Sequence, residues 1–90
     1  IEFYKQRVEG SARAYIPMNL IITPEFVRRL TREHPEAPLY AMRLDRGMSS
    51  ESVLKTPPGT HWDEESGLDA NDYIVPGGGG FGELMNNAWV

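Results

Sequence analysis

Between Arg13 and Ile22 the apolar side chains fall on every second residue: Ala14, Ile16, Met18, Leu20 and Ile22. A period of two puts all five on one side of an extended strand, and that side needs a core to lie on. Pro17 falls on the opposite side and brings no N–H, which suits a sheet edge or a bulge. Directly after the strand comes Thr23-Pro24-Glu25, a strong helix start. Threonine accepts an orphan N–H, proline fixes φ for the first turn, and glutamate complements the positive end of the helix dipole. Phe26, Val27 and Leu30 then form one apolar stripe, with Glu25 spaced to pair with Arg29. His34-Pro35 ends the helix, because a residue before proline avoids the α region.

Leu39 to Leu44 reads as a second strand, closed by Asp45-Arg46-Gly47. Ile1 to Val8 reads as an earlier strand, forming a hairpin with Arg13–Ile22 through Gly10-Ser11. Ser49 to Leu54 suits a helical turn or short helix, His61 to Asn71 a long acidic loop, and Asp72 to Val75 a short strand. Glu83 to Asn87 suits a helical turn or the start of a last strand. The expected fold class is α+β: a small, mostly antiparallel sheet of three to five strands with the Pro24–Glu33 helix packed on one face. Its expected core is Ile16, Met18, Leu20, Phe26, Val27, Leu30, Tyr40, Met42 and Leu44.

Ninety residues make a single small domain over 1–90 with a thin core, and a start at Ile1 suits an excised or processed part of a longer chain. There is no cysteine, which removes disulfides, thiolate metal sites and cysteine nucleophiles. No apolar run approaches the roughly 18–20 residues of a membrane span, so no membrane partner and a soluble protein are expected. Charge divides unevenly: residues 1–46 carry eight Lys/Arg against six Asp/Glu, whereas residues 47–90 carry one against seven. Attraction between the halves accounts for this, the alternative being a basic face for phosphate or an acidic face for a cationic partner, and a net charge of −4 argues against a nucleic-acid partner.

Five of the nine glycines lie in Val75-Pro76-Gly77-Gly78-Gly79-Gly80-Phe81-Gly82-Glu83. Such a run costs conformational entropy to order, and it lets backbone approach backbone or a ligand closely. Gly77-x-Gly79-x-x-Gly82 matches the dinucleotide fingerprint in spelling only, since too few residues follow for the helix and the distant acid. Successive glycine N–H groups can still cradle an anion, so Gly77, Gly78, Gly79 and Gly80 are candidate phosphate contacts. Arg43 presents a planar fork suited to phosphate or carboxylate, with Asp45 two residues on. His61 precedes Trp62 and the run Asp63-Glu64-Glu65, a setting for a general acid or base. The histidines are too scattered for zinc and the acids do not match an EF-hand, so no metal is expected.

Leu39-Tyr40-Ala41-Met42-Arg43-Leu44-Asp45-Arg46 resembles the first strand of cholera-toxin-type ADP-ribosyltransferases, where an R-x-D element follows a Leu-Tyr pair. Tyr73-Ile74-Val75-Pro76-Gly77-Gly78 resembles segments near the ends of bacterial polymorphic-toxin domains. The resemblance implies NAD as substrate, Arg43 and Asp45 on its phosphates and ribose, and Glu83 as the acid that stabilises positive charge on the ribose. The family's Ser-Thr-Ser strand has no counterpart at the right distance from Arg43.

The functional expectation is therefore a bacterial effector or toxin domain, secreted or delivered by its producer, that acts on NAD or a related nucleotide. One alternative is a non-catalytic module that binds a protein partner, or the remainder of a longer chain, through its acidic and glycine-rich loops, with Trp62 and Trp89 as anchors. Another is a small ribonuclease using His61 with Glu64 or Glu65.

Overall fold

The computed structural model describes residues 1–79. Its elements run α1 (Glu2–Arg7), β1 (Met18–Ile22), α2 (Pro24–Glu33), β2 (Tyr40–Leu44) and α3 (Glu51–Leu54), followed by a 3-10 turn at Trp62–Glu64. The helix start works as its chemistry demands: Thr23 is extended, and its Oγ1 accepts from the Phe26 N–H at 3.3 Å. At the other end the His34 N–H closes the last turn on the Leu30 carbonyl at 2.7 Å, before Pro35 turns the chain away. A β-strand followed by a helix and another strand is a crossover unit, and the crossover returns β2 parallel to β1. Met18 pairs with Tyr40, Asn19 with Ala41, Ile21 with Arg43 and Ile22 with Leu44.

This corrects the expected fold class. Among the described residues the sheet has two parallel strands, not three to five antiparallel ones. The alternating pattern marks a strand only over Met18–Ile22, Arg13–Pro17 lying outside it, and pairing direction follows from the connection, in which α2 carries the chain back to start β2 alongside β1. The expected first strand is instead α1. Glu2 and Gln6 share a hydrogen bond across one turn (3.0 Å), and Arg7 stacks over Phe3 with 4.7 Å to the ring centroid. These are i,i+4 contacts that only a helix brings together. Near Asp72–Val75 the chain makes a lone antiparallel bridge, Leu68 to Ile74, rather than a strand.

The core also differs from expectation. Among the described residues its buried apolar side chains are Ile22, Pro24, Leu30 and Val53. Met18, Leu20, Tyr40 and Met42, expected inside, are 61–82 % exposed. In their place the interior holds polar groups: Thr23, His34, Asp45, Ser49 and Glu65 are all buried. Buried carboxylates demand partners, and those partners are what shape the edge described next.

Candidate functional site

Because β1 and β2 run parallel, both end on the same edge of the sheet. The Asp45 N–H extends the ladder by one rung to the Ile22 carbonyl (2.8 Å). Asp45 is 2 % exposed, and alternation puts Arg43, two residues earlier, on the same side of the strand. The guanidinium reaches forward to grip the carboxylate with two prongs, Nε to Oδ1 at 2.5 Å and Nη2 to Oδ2 at 2.8 Å. The glycine-rich loop docks on this pair. Gly77 donates its N–H to Asp45 Oδ2 (2.8 Å), and its carbonyl accepts from Arg43 Nη2 (2.8 Å). Gly77 sits at φ +70°, and a Cβ there would collide with the Ile74 carbonyl oxygen, so only glycine fits. The Arg43 guanidinium, followed by the Gly77 N–H, holds the Asp45 carboxyl below its ordinary value, against the opposing effect of burial.

Two further carboxylates fix the surrounding loops. Glu25, at the start of α2, accepts from the N–H groups of Gly67 and Leu68 (2.9 Å each) and from the Ser66 hydroxyl (3.0 Å). Burial pushes the Glu25 carboxyl up, but these hydrogen bonds outweigh it and the net shift is downward. Glu65, 1 % exposed, pairs with Arg46 Nη1 (2.8 Å) and accepts from the Gly59 N–H (2.9 Å). Arg46 also donates to the carbonyls of Val53, Leu54 and Thr56, which ties α3 to the same hub. Main-chain bonds complete the lattice, with Val75 N–H to Gly67 O and Gly47 N–H to Val75 O both at 2.8 Å. Gly67 passes so close to Asp45 that a Cβ would overlap its carbonyl oxygen.

The clamp ends at Gly77. Gly78 and Gly79 are exposed, and among the described residues no hydrogen bond is made by either N–H. Beside them lies a cavity of about 200 Å³ lined by Asn19, Ile21, Ile22, Thr23, Phe26, Leu68 and Ile74. A larger groove, about 730 Å³, runs between α1, α2 and the start of β1. It lies away from the clamp, whereas ligands of parallel α/β sheets bind outside the carboxyl ends of the strands. The smaller cavity, beside the glycine loop, is the candidate site.

The structure thus brings Arg43, Asp45 and Gly77 together, with Gly78 and Gly79 adjoining. His61 takes no part in the bonds that build this cluster, and its Nδ1 lies 3.5 Å from Glu64 Oε2. Gly80 and Glu83 lie outside the described residues. Arg46 and Gly67 were not singled out from sequence, and Glu65 was read only as a partner for His61, whereas it pairs with Arg46 instead. Glu25 looked like an ordinary helix-dipole glutamate, and an isolated loop glycine such as Gly67 was the one available hint of a close backbone approach. Among the described residues no three His, Cys, Asp or Glu side chains gather as metal ligands, and no helix is long and apolar enough to cross a membrane.

Comparison with known proteins gives a different kinship from the one the short motifs suggested. The chain is 30 % identical over 85 residues to a protein of Caldanaerobacter subterraneus subsp. tengcongensis named uracil phosphoribosyltransferase. It is 31 % identical over the same length to proteins of that name from Thermoanaerobacter sp. and Thermoanaerobacter pseudethanolicus. Each match takes in 94 % of this chain and 30 % of the relative, so the chain spans about a third of the length of these proteins. No family profile matches the chain, and no solved structure does. The likeness to ADP-ribosyltransferase and polymorphic-toxin domains is overturned by these matches, and the expectation of a toxin acting on NAD goes with it. The motifs behind it were a few residues long, whereas the similarity found extends over nearly the whole chain.

Proposed function

We propose that this chain is the base-recognising part of a larger enzyme that transfers a phosphoribosyl group to a pyrimidine such as uracil. The observation that carries the reading is the Arg43–Asp45–Gly77 clamp, which presents Gly78 and Gly79 at the carboxyl ends of a parallel strand pair. The names of the relatives supply the substrate class. Uracil displays an imide edge, with an N–H between two carbonyl oxygens. A loop of glycines can meet that edge with main-chain N–H and C=O groups, because no Cβ keeps the base away. The apolar walls of the small cavity, Ile21, Leu68 and Ile74, take the faces of the ring.

Asp45 and Arg43 act in this reading as positioning residues. Gly77 has both its N–H and its carbonyl engaged by them, so the loop is held in one shape before the base arrives. Preorganisation of this kind lowers the ordering cost of binding. Arg43 keeps a second role: among the described residues its Nη1 makes no hydrogen bond, and the side chain is half exposed, leaving one prong for a phosphate.

The reading is tested by titrating uracil into the isotopically labelled chain and following its amide resonances. Shifts concentrated at Ile74–Gly79 and Asp45 are expected. The absence of shifts there at millimolar uracil, or shifts confined to the groove beside α1, overturns it. Ribose 5-phosphate should in turn perturb the Arg43 side-chain resonance.

A further inference from the structure

We infer that the sheet face carrying Met18, Leu20, Tyr40 and Met42 is an internal interface, covered in the working protein by an apolar layer from a longer polypeptide of phosphoribosyltransferase type. The inference rests on the functional reading above and adds to it the face on which the rest of such a protein packs.

Register and exposure argue for it together. Met18 is paired with Tyr40, and the same register sets Leu20 beside Met42, so the four side chains stand on one face as a contiguous apolar block. All four are largely exposed. Further along that face Ile22 is buried and Leu44 half-buried, so the block is the open end of a core that the described residues begin to close. The opposite face, with Asn19, Ile21, Ala41 and Arg43, is treated differently: Phe26 and Ile74 share a cavity wall with Asn19 and Ile21, and Gly77 docks on Arg43.

Parallel strands are found with both faces covered, because the crossovers that make them parallel lay helices on the sheet. A two-stranded sheet is also marginal by itself. The exposed face carries no charge, so a charged or nucleic-acid partner has nothing to hold, whereas an apolar layer matches it. The source of that layer follows from proportion. The relatives match this chain over 94 % of its length but only 30 % of theirs. More than two thirds of each relative therefore lies outside the matched stretch and is free to supply the cover.

The test compares one pair of substitutions in two settings. Leu20→Lys and Met42→Lys are made in the 90-residue chain and in a chimera, in which this chain replaces the matched 85 residues of the Caldanaerobacter protein. In the isolated chain the face meets water, so each substitution should move the thermal midpoint by no more than about 4 °C. In the chimera each should lower it by about 10 °C or more. A soluble paramagnetic agent gives a second readout, broadening the Met18 and Met42 methyl signals of the isolated chain and sparing those of the chimera. Equal effects in the two settings overturn the inference. They would mean that the face is already covered within the chain or by a second copy, which sedimentation distinguishes. A chimera that fails to fold where the relative folds also overturns it, since the face then does not fit that layer. None of these readouts involves uracil, so a failure of base binding leaves this result standing, and the converse holds as well.

Discussion

Replacing Asp45 with asparagine removes one charge and almost no volume, which makes it a clean probe of the clamp. The carboxylate accepts two bonds from Arg43 and one from the Gly77 N–H while almost fully buried. Asparagine can keep an oxygen towards Gly77, but its NH2 then faces the guanidinium, donor against donor. Hydrogen bonds to charged groups contribute about 1.5–3 kcal/mol each. Arg43 is half exposed, so water takes up much of what it loses, and a discounted total of about 2 kcal/mol is expected. For a domain of this size that lowers the melting midpoint by about 8–16 °C. Calorimetry gives the midpoint, and hydrogen exchange at the Gly77 amide reports whether the loop has come free. The pH dependence has a definite sign. The folded Asp45 carboxyl lies below its ordinary value of 3.8, so its stabilisation is present above that pH and fades as the pH falls through the lower, folded value. The gap between the native chain and the variant should therefore be constant near neutrality and close below about pH 4. A variant that melts within about 3 °C of the native chain, with Gly77 exchange unchanged, would refute the argument that this carboxylate shapes the loop.

Arg46→Met leaves the buried Glu65 carboxylate with the Gly59 N–H as its remaining partner among the described residues, and a loss of about 3 kcal/mol is expected in denaturant titration. Adding Glu65→Leu should recover part of that loss, the double-mutant cycle measuring their coupling. Gly67→Ala should prevent the Asp45–Gly77 contact from forming, because its methyl would occupy the space of the Asp45 carbonyl oxygen. Gly59→Ala, which meets open space at φ +89°, should cost only about 1–2 kcal/mol by the same titration. Thr23→Ala removes the cap of α2 and should cost about 1 kcal/mol, read as a lowered midpoint with faster exchange at the Phe26 amide.

Local chemistry made α2 legible, since a threonine cap, a proline in the first turn and a histidine before proline act within a few residues of one another. The strand pattern at β1 and β2 was legible for the same reason. The direction of pairing lay in the strand–helix–strand order, which favours a parallel crossover, and not in period-two alternation, which is identical in parallel and antiparallel strands. The exposed Met18–Met42 face shows the limit of reading burial from pattern: alternation marks which residues need a core and says nothing of whether the same ninety residues provide it. At the site, Arg43, Asp45 and Gly77 were picked out by residue type and spacing, and the structure joins them. The approach of Gly67 to Asp45, and of Glu25 to Gly67, spans tens of residues, and no local signal announces a contact of that range. Glu25 is the clearest instance, since its helical spacing pointed to Arg29. That arginine instead pairs with Glu33, while Glu25 turns to the loop at Ser66–Leu68.

The central claim is that the clamped glycine loop reads the imide edge of a pyrimidine base, and equilibrium dialysis with labelled uracil tests it most directly. The chain should retain uracil, and excess unlabelled uracil should displace it, whereas uracil methylated at N3 should not, because the methyl group blocks the N–H at the centre of the edge. Failure to retain uracil, or equal displacement by the N3-methyl compound, would contradict it.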